Sequence, residues 1–173
     1  AAFAKPRDIL TMIDNTFATP ILQNPLELGF DLVMHSGTKY LGGHSDLCCG
    51  TVNGPAALIS KVQNHGINHG GCLNAQDCHL LERSLKTLEI RVQRQSENAA
   101  FIARQLENNE YVKRVHYPGL ESDPGHDIAA RQMLGFGGML ACELFDSIEP
   151  VTSLRRLNRV KCAISRGGVE TTI

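Results

Sequence analysis

Several features that would assign this chain to a large class of proteins are missing from its sequence. Its 173 residues carry 17 Lys and Arg against 18 Asp and Glu, a formal net charge of -1. No overall field therefore attracts nucleic acid or an anionic membrane surface. No apolar run approaches the ~20 residues of a membrane-spanning helix, and the alanine-rich start lacks the charged and apolar regions of a signal peptide. These absences predict a soluble, cytoplasmic protein that binds neither nucleic acid nor membranes.

Cysteine is too sparse to form the framework of a small secreted domain. The chain has six cysteines, of which Cys48 and Cys49 are adjacent, so reduced thiols are expected rather than disulfides. Five possible zinc ligands cluster in one stretch, but their spacing fits no standard finger, and adjacent ligands on a helix would point in different directions. They are His65, His69, Cys72, Cys78 and His79. We predict no metal site.

The order of apolar runs and turn residues predicts an α/β protein. Strands are expected near the start, followed by a helix, one long helix and a set of shorter alternating units. Because these units suggest a second α/β layer, we place residues 1–105 in a larger domain and residues 106–173 in a smaller C-terminal domain. The predicted strands are 9–13, 31–35, 47–52, 112–117, 138–144 and 160–165, and the predicted helices are 55–65, 75–107, 124–133 and 151–157.

One stretch, residues 35–46, places Lys39 among hydroxyl residues and a short glycine run. It follows a predicted strand, and open α/β sheets bind ligands at the carboxyl ends of their strands. A lysine there can form a Schiff base with an aldehyde, while Ser36, Thr38 and the glycine amides suit a phosphate group. Taken alone, Lys39 would be a solvated surface lysine, and the glycine spacing of a P-loop is missing. Its neighbours favour a chemical role.

Asp14 ends the first predicted strand and supplies the second half of the pattern. A carboxylate at the end of an apolar strand is costly unless a positive group meets it. A protonated pyridine nitrogen would do so, and a turn cap through Asp14, Asn15 and Thr16 would also explain the residue. Pyridoxal phosphate needs a Schiff-base lysine, an acid for its ring nitrogen and donors for its phosphate. All three requirements are met here.

Residues 14–20, Asp-Asn-Thr-Phe-Ala-Thr-Pro, and residues 35–46, His-Ser-Gly-Thr-Lys-Tyr-Leu-Gly-Gly-His-Ser-Asp, resemble the motifs of one family. This is the Cys/Met metabolism family of pyridoxal-phosphate enzymes, which includes cystathionine lyases, cystathionine γ-synthase, methionine γ-lyase and the homoserine-ester sulfhydrylases. The likeness continues through 82–88, 98–99, 117–120, 135–139 and 165–170, so it covers essentially the whole chain. It implies the three-layer α/β sheet architecture of the aspartate-aminotransferase type (fold type I), with a smaller C-terminal α/β domain.

Carried over position by position, the resemblance implies a role for each candidate site residue. Lys39 would be the Schiff-base lysine and proton shuttle, Asp14 would pair with the ring nitrogen, and Ser165 would orient Lys39 and the substrate. These three would be the catalytic residues. The cofactor-binding residues would be Lys39, Asp14, Thr16, Ser36 and Thr38, with the last two at the phosphate.

The implied reaction is β- or γ-elimination from a small sulfur-containing or O-acylated amino acid, with γ-replacement as the alternative. Family members that process cystathionine commonly have Glu before the serine that Ser165 matches, and this chain has Ile164. That departure weakens cystathionine γ-lyase and γ-synthase and leaves methionine-type elimination open. Arg166 could meet a second carboxylate, or lie at a surface or interface. The resemblance also implies a homotetramer, a dimer of dimers with shared active sites.

Both ends of the chain depart from a complete family member. Ala1 is not an initiator methionine, and no capping turn follows the last segment at Ile173. The N-terminal segment that supplies an aromatic ring, a Tyr and an Arg to the cofactor has no counterpart, and neither does the carboxylate-binding arginine expected after Ile173. We therefore expect a piece of a longer protein that is inactive alone. A non-catalytic fragment or pseudoenzyme is the alternative from another class.

Overall fold

The secondary structure alternates helices and strands along most of the chain. The computed structural model describes residues 1–158, 160, 162–163 and 166–173. A 3-10 turn covers Lys5–Arg7 and a π-type helical segment covers Gly37–Leu41. The strands are β1 Met12–Asp14, β2 Leu32–Ser36, β3 Gly50–Asn53, β4 Val112–His116 and β5 Ala141–Leu144, and the helices are α1 Thr19–Leu22, α2 Ala56–His69, α3 Ala75–Leu85, α4 Leu88–Glu107, α5 His126–Gln132 and α6 Pro150–Arg155.

The strands of the described residues form two small sheets. In the first, β1 runs parallel to β2 with Asp14 opposite Met34, and β3 runs antiparallel to β2 with Thr51 opposite His35. In the second, β4 pairs antiparallel with β5. Because β1 and β2 are parallel, their carboxyl ends meet at one edge of the sheet, where ligands of α/β proteins bind. The residues that follow Asp14 and Ser36 are therefore brought together.

Helix α4 contributes to two hydrophobic clusters of described residues. Its apolar residues recur at helical spacing along one face. The first half of the helix packs with the segment that follows Lys39, and the second half packs with β4. The first cluster is Leu22, Tyr40, Leu41, Leu88 and Val92, and the second is Ala99, Ala103, Val115, Tyr117 and Leu120.

The prediction of one helix over residues 75–107 is wrong, because the helix is divided at Lys86 and Thr87. The Ser84 carbonyl accepts hydrogen bonds from Thr87 N (3.2 Å), Thr87 Oγ1 (3.2 Å) and Arg91 Nη2 (3.0 Å). These donors surround the carbonyl that a continuous helix would offer to the Leu88 amide. The break therefore has a side-chain cause and needs neither glycine nor proline.

Four of the predicted strands need correction. Ile9 and Leu10 are 50% and 67% exposed and precede β1, whereas a buried strand was expected over 9–13. Pairing starts late because the Asp31 carboxylate accepts from Thr11 N (2.8 Å) and Thr11 Oγ1 (2.7 Å) just before it. The third strand begins at Gly50 instead of residue 47, and the fifth begins at Ala141 instead of residue 138. The predicted strand 160–165 lies partly outside the described residues, and the part that is described is not in a strand.

In the described part of the chain, no helix combines the length and the apolar character needed to cross a bilayer.

Candidate active site

The hydroxyl of Thr16 joins the two strand ends from which the predicted site residues emerge. Thr16 is 8% exposed, and its Oγ1 donates to Asp14 Oδ1 (2.5 Å) and accepts from the Ser36 backbone N–H (2.8 Å). The Thr16 N–H also donates to Asp14 Oδ1 (2.9 Å). Asp14, Thr16 and Ser36 thus form one hydrogen-bonded chain at the carboxyl edge of β1 and β2.

Replacing Thr16 with valine should destabilise this edge. The isosteric change leaves the Ser36 N–H without its acceptor and removes one donor from Asp14, a loss of about 2 kcal/mol in the free energy of unfolding. Thr16→Ser keeps the hydroxyl and loses a methyl group, which costs about 1 kcal/mol. Thermal unfolding of both variants of the complete protein should place the valine variant lower. A serine variant that is the less stable of the two would contradict the bridging role.

Asp14 has an exposed carboxylate at the end of β1. The argument that its burial demands a positive partner is therefore wrong for this chain, because a solvated carboxylate carries no burial cost. Oδ1 accepts both bonds from Thr16, which is the turn cap that the sequence left as an alternative. Oδ2 accepts no hydrogen bond from the described residues, so the cap leaves one oxygen for a further donor.

Lys39 lies at a kink in the π-type segment directly after β2. Its backbone angles, φ −88° and ψ −116°, are non-helical, and its carbonyl accepts from Gly43 N (2.7 Å). Its side chain is half-buried. Gly167 packs on the peptide bond between Lys39 and Tyr40. A Cβ on Gly167 would lie 2.9 Å from Tyr40 N and 3.1 Å from the Lys39 carbonyl carbon. Its φ of +104° also favours glycine.

The two predicted phosphate-binding hydroxyls have different surroundings. Ser36 is half-buried, and its hydroxyl makes no hydrogen bond within the described part of the chain. Thr38 Oγ1 donates to Cys49 O (3.3 Å) and accepts from Cys49 N (3.0 Å), and Thr38 N also donates to Cys49 O (3.2 Å). Ser36 can donate to a phosphate as it stands. Thr38 would first have to release the Cys49 carbonyl.

Cys49 also limits what can stand at residue 37. A Cβ built on Gly37 would overlap Cys49 Sγ, closer than real Cβ contacts allow. Burial raises the pKa of the Cys49 thiol, and the neighbouring Cys48 adds to this rise. The thiol is therefore protonated at neutral pH and packs as a small apolar group.

The sequence analysis missed a buried polar pair beneath the strand ends, Asn15 and His35. Asn15 Nδ2 donates to Thr19 O and Gln23 O, both at 3.1 Å, and lies 3.4 Å from His35 Nε2. These bonds hold the segment after β1, where fully buried Thr19 at the start of α1 has a φ of 60°, a strained value for a β-branched residue. The signal in the sequence was Asn15, a polar residue inside the motif of residues 14–20 to which the cofactor chemistry gives no role.

His35 faces a separate, largely apolar cavity of about 280 Å³ that also involves Thr51, Val33, Leu26 and Leu41. His35 is 5% exposed. Its Nδ1 and the Thr51 hydroxyl are buried without a hydrogen-bond partner among the described residues. Neither Lys39 nor Asp14 lines this cavity.

Acid should weaken the fold through His35. Burial lowers its pKa below the ordinary 6.5, and the charge of Asp14 opposes this only in part. Below pH 6.5 the unfolded chain binds a proton that the folded chain resists, so stability falls as the pH drops toward the lower folded pKa. We expect the thermal midpoint of His35→Gln to fall less than that of wild type between about pH 7.5 and about pH 5.5. The control is His79→Gln, at an exposed histidine. If the thermal midpoint falls equally in His35→Gln and wild type, His35 is not the source of the acid sensitivity.

Some predicted features lie beyond what the structure describes. Ser165 and Ile164 are outside the described residues. Arg166 is half-buried and forms no ion pair with any described residue. The described residues contain no group of three or more His, Cys, Asp or Glu that could hold a metal ion, and all six cysteines are free thiols.

The comparison with known sequences covers the whole chain. The sequence model described as "Cys/Met metabolism PLP-dependent enzyme" matches residues 1–173. The chain belongs to this family. It is 47% identical over 174 residues to a cystathionine beta-lyase of Lactococcus lactis subsp. cremoris (strain MG1363) and 42% identical over 167 residues to an L-methionine gamma-lyase of Fusobacterium nucleatum subsp. polymorphum. These matches cover 100% and 95% of the chain, but only 46% and 42% of the relatives.

Solved structures of family members share the fold. A cystathionine gamma-lyase from Lactobacillus plantarum, complexed with L-serine, has a TM-score of 0.95 and 40% identity over 98% of this chain and 45% of its own. A cystathionine gamma synthase from Xanthomonas oryzae pv. oryzae, in complex with aminoacrylate and cysteine, has a TM-score of 0.91 and 41% identity over 96% and 44%. The predicted family and its pyridoxal-phosphate cofactor are confirmed. The chain spans less than half the length of these relatives, and the roles of individual site residues stay predictions.

Proposed function

We propose that the complete protein is a pyridoxal-phosphate-dependent carbon-sulfur lyase that acts on sulfur amino acids by β- or γ-elimination. The observation that carries this proposal is the hydrogen-bonded chain of Asp14, Thr16 and Ser36, with Lys39 in the turn that follows. Membership of a PLP-dependent family supports the cofactor, and lyases among the relatives support the reaction type.

The donors and acceptors at this edge of the sheet fit the cofactor. When bound, pyridoxal phosphate supplies an aldehyde for a lysine amine and a protonated ring that stabilises negative charge on the substrate Cα. Asp14 Oδ2 is available to the ring-nitrogen proton, and the Ser36 hydroxyl is available to the phosphate. The hydroxyl of Thr38 can join Ser36 only after it leaves Cys49, so we assign Ser36 the larger part in phosphate binding.

The protein's own groups divide the remaining work. The Thr16 hydroxyl and N–H hold Asp14 Oδ1, which orients the carboxylate. The Lys39 amine removes the proton from the substrate Cα and returns a proton to the leaving group. We assign Ser165 the orientation of Lys39 and substrate, as the family resemblance implies.

Products separate this function from its alternatives. The complete protein should release ammonia and a 2-keto acid from cystathionine or methionine. A cystathionine gamma synthase among the similar proteins supports γ-replacement as the second candidate. Replacement would instead form a new thioether or homocysteine from an O-acylated homoserine and a thiol or sulfide. Protein that binds the cofactor but turns over none of these substrates would be non-catalytic.

The wider setting is part of the same proposal. Residues 1–105 belong to a larger cofactor-binding domain and residues 106–173 to a smaller C-terminal α/β domain of fold type I. The protein acts in the cytoplasm, without nucleic-acid or membrane partners, as a homotetramer built as a dimer of dimers. The free thiols support a reducing compartment, and the family resemblance supports the tetramer. Light scattering of the complete protein measures its oligomeric state directly.

A further inference from the structure

We propose that helix α4 positions Lys39 through two side chains one helical turn apart, Arg91 and Gln95. Arg91 holds the backbone that follows Lys39, and Gln95 holds the segment, Gly167–Val169, that covers it. The proposal rests on the function proposed above, since it concerns the same lysine. Both residues are positioning residues, because each acts through the backbone around Lys39.

The guanidinium of Arg91 donates to three backbone carbonyls and one hydroxyl around the turn. Nη1 donates to Tyr40 O (2.8 Å), and Nη2 donates to Leu41 O (3.4 Å) and Ser84 O (3.0 Å). Nε donates to Thr87 Oγ1 (3.1 Å). Tyr40 and Leu41 directly follow Lys39, so Arg91 ties the turn to the junction of α3 and α4. Such a planar set of donors is available only from arginine.

Gly43 makes room for this arginine. A Cβ at residue 43 would overlap Arg91 Nη1 and lie 2.6 Å from Cζ, and the φ of +72° also suits glycine. The Gly43 amide closes the turn on the Lys39 carbonyl, and its own carbonyl accepts from Val169 N (3.0 Å). The glycine run after Lys39 therefore contacts both the arginine and the covering segment.

Gln95 attaches the covering segment to α4. Its Nε2 donates to Gly168 O (2.7 Å), between Gly167, which packs on the Tyr40 amide, and Val169, which bonds to Gly43. Its Oε1 is buried and has no hydrogen-bond partner among the described residues. Gln95 lies on the apolar face of α4, between Val92 and Ala99. The hydrogen bond to the Gly168 carbonyl explains why a polar side chain, Gln95, occupies this apolar face.

The same helix offers matched controls. Arg94 and Glu97 form an exposed ion pair (3.1 Å), with 74% and 66% of their side-chain surfaces exposed. Gln93 is exposed and donates to Glu89 (3.1 Å). Arg94→Met and Gln93→Leu therefore make the same chemical changes as Arg91→Met and Gln95→Leu, on a face that does not touch the turn.

Hydrogen exchange of the cofactor-free complete protein tests the contacts themselves. Arg91→Met should speed exchange of the Gly42 and Gly43 amides at least about tenfold, and Gln95→Leu should do the same for the Val169 amide. The two control variants should exchange like wild type. Unchanged exchange in both Arg91→Met and Gln95→Leu would overturn the proposal, whatever the protein catalyses.

Kinetics of the cofactor-loaded protein test the consequence for Lys39. Arg91→Met should lower kcat about tenfold with KM within about twofold, because misplacing a catalytic amine slows proton transfer more than substrate binding. Arg91→Lys keeps a positive charge and an N–H donor group, so it should recover part of kcat.

The outcomes separate this inference from the proposed function. If the wild-type protein has neither lyase nor replacement activity, the proposed function is wrong. Faster amide exchange in Arg91→Met would still show that Arg91 holds the backbone that follows Lys39. If the wild type is active and Arg91→Met matches Arg94→Met in both kcat and exchange, the positioning role is wrong and the proposed function stands.

Discussion

Replacing Lys39 with alanine should abolish turnover by the complete protein, lowering kcat/KM by about 10³-fold or more. The variant loses the only group assigned both to attach the cofactor and to move the Cα proton, so two steps fail together. Lys39→Arg keeps a positive charge, but a guanidinium is neither a nucleophile nor a base at neutral pH. It should be as inactive as the alanine variant.

The measurement combines kinetics with peptide mass spectrometry. Borohydride reduction of the loaded wild type should leave the cofactor on the peptide that contains Lys39, and no such adduct should form in either variant. The exposed Lys61→Ala on α2 should retain wild-type activity and the adduct. Activity of Lys39→Ala within tenfold of wild type would exclude Lys39 as the reactive lysine.

Replacing Asp14 with asparagine should lower kcat/KM about 100-fold, the second largest effect expected. The change tests charge and little else, because the asparagine carbonyl oxygen can still accept both bonds from Thr16. A neutral amide cannot favour a protonated ring nitrogen, so the ring accepts electrons less well. Steady-state kinetics and the absorbance spectrum of the bound cofactor should both change, while the thermal midpoint should stay close to that of wild type.

The alternative explanation of Asp14 is the turn cap, and matched variants separate the two. Asp8→Asn, at an exposed turn, is the control for the chemical change and should be neutral. If Asp14→Asn keeps activity within about fivefold of wild type and Thr16→Val loses stability as expected, Asp14 only caps the turn after β1. The cofactor would then need another acid.

The features that could be predicted from sequence are those with a local cause. The apolar run before Ser36 and the polar residues after it predict β2 and its carboxyl edge, and the two motifs predict the family. The parallel pairing of β1 and β2, and the Thr16 hydroxyl that joins Asp14 to Ser36, come from the structure and not from the sequence. The sequence therefore predicts which residues follow β1 and β2, but not the hydrogen bonds that join them.

The remaining features depend on contacts between residues far apart in sequence. The break between α3 and α4 depends on Arg91 reaching the Ser84 carbonyl, and no glycine or proline marks it. The occupation of the Thr38 hydroxyl depends on Cys49, eleven positions away, and the role of Gln95 depends on Gly168. Periodicity places Gln95 on the apolar face of α4, but it does not show what lies opposite.

The contact between Gly37 and Cys49 has a consequence for how this chain can evolve. Since the two positions share one volume, alanine at residue 37 is tolerated only after residue 49 has become smaller or has turned its side chain away. Mutational paths therefore have a preferred order, with residue 49 changing first and residue 37 second. Descendants should vary at the two positions together, and the reverse order should pass through a poorly folded intermediate sequence that selection removes.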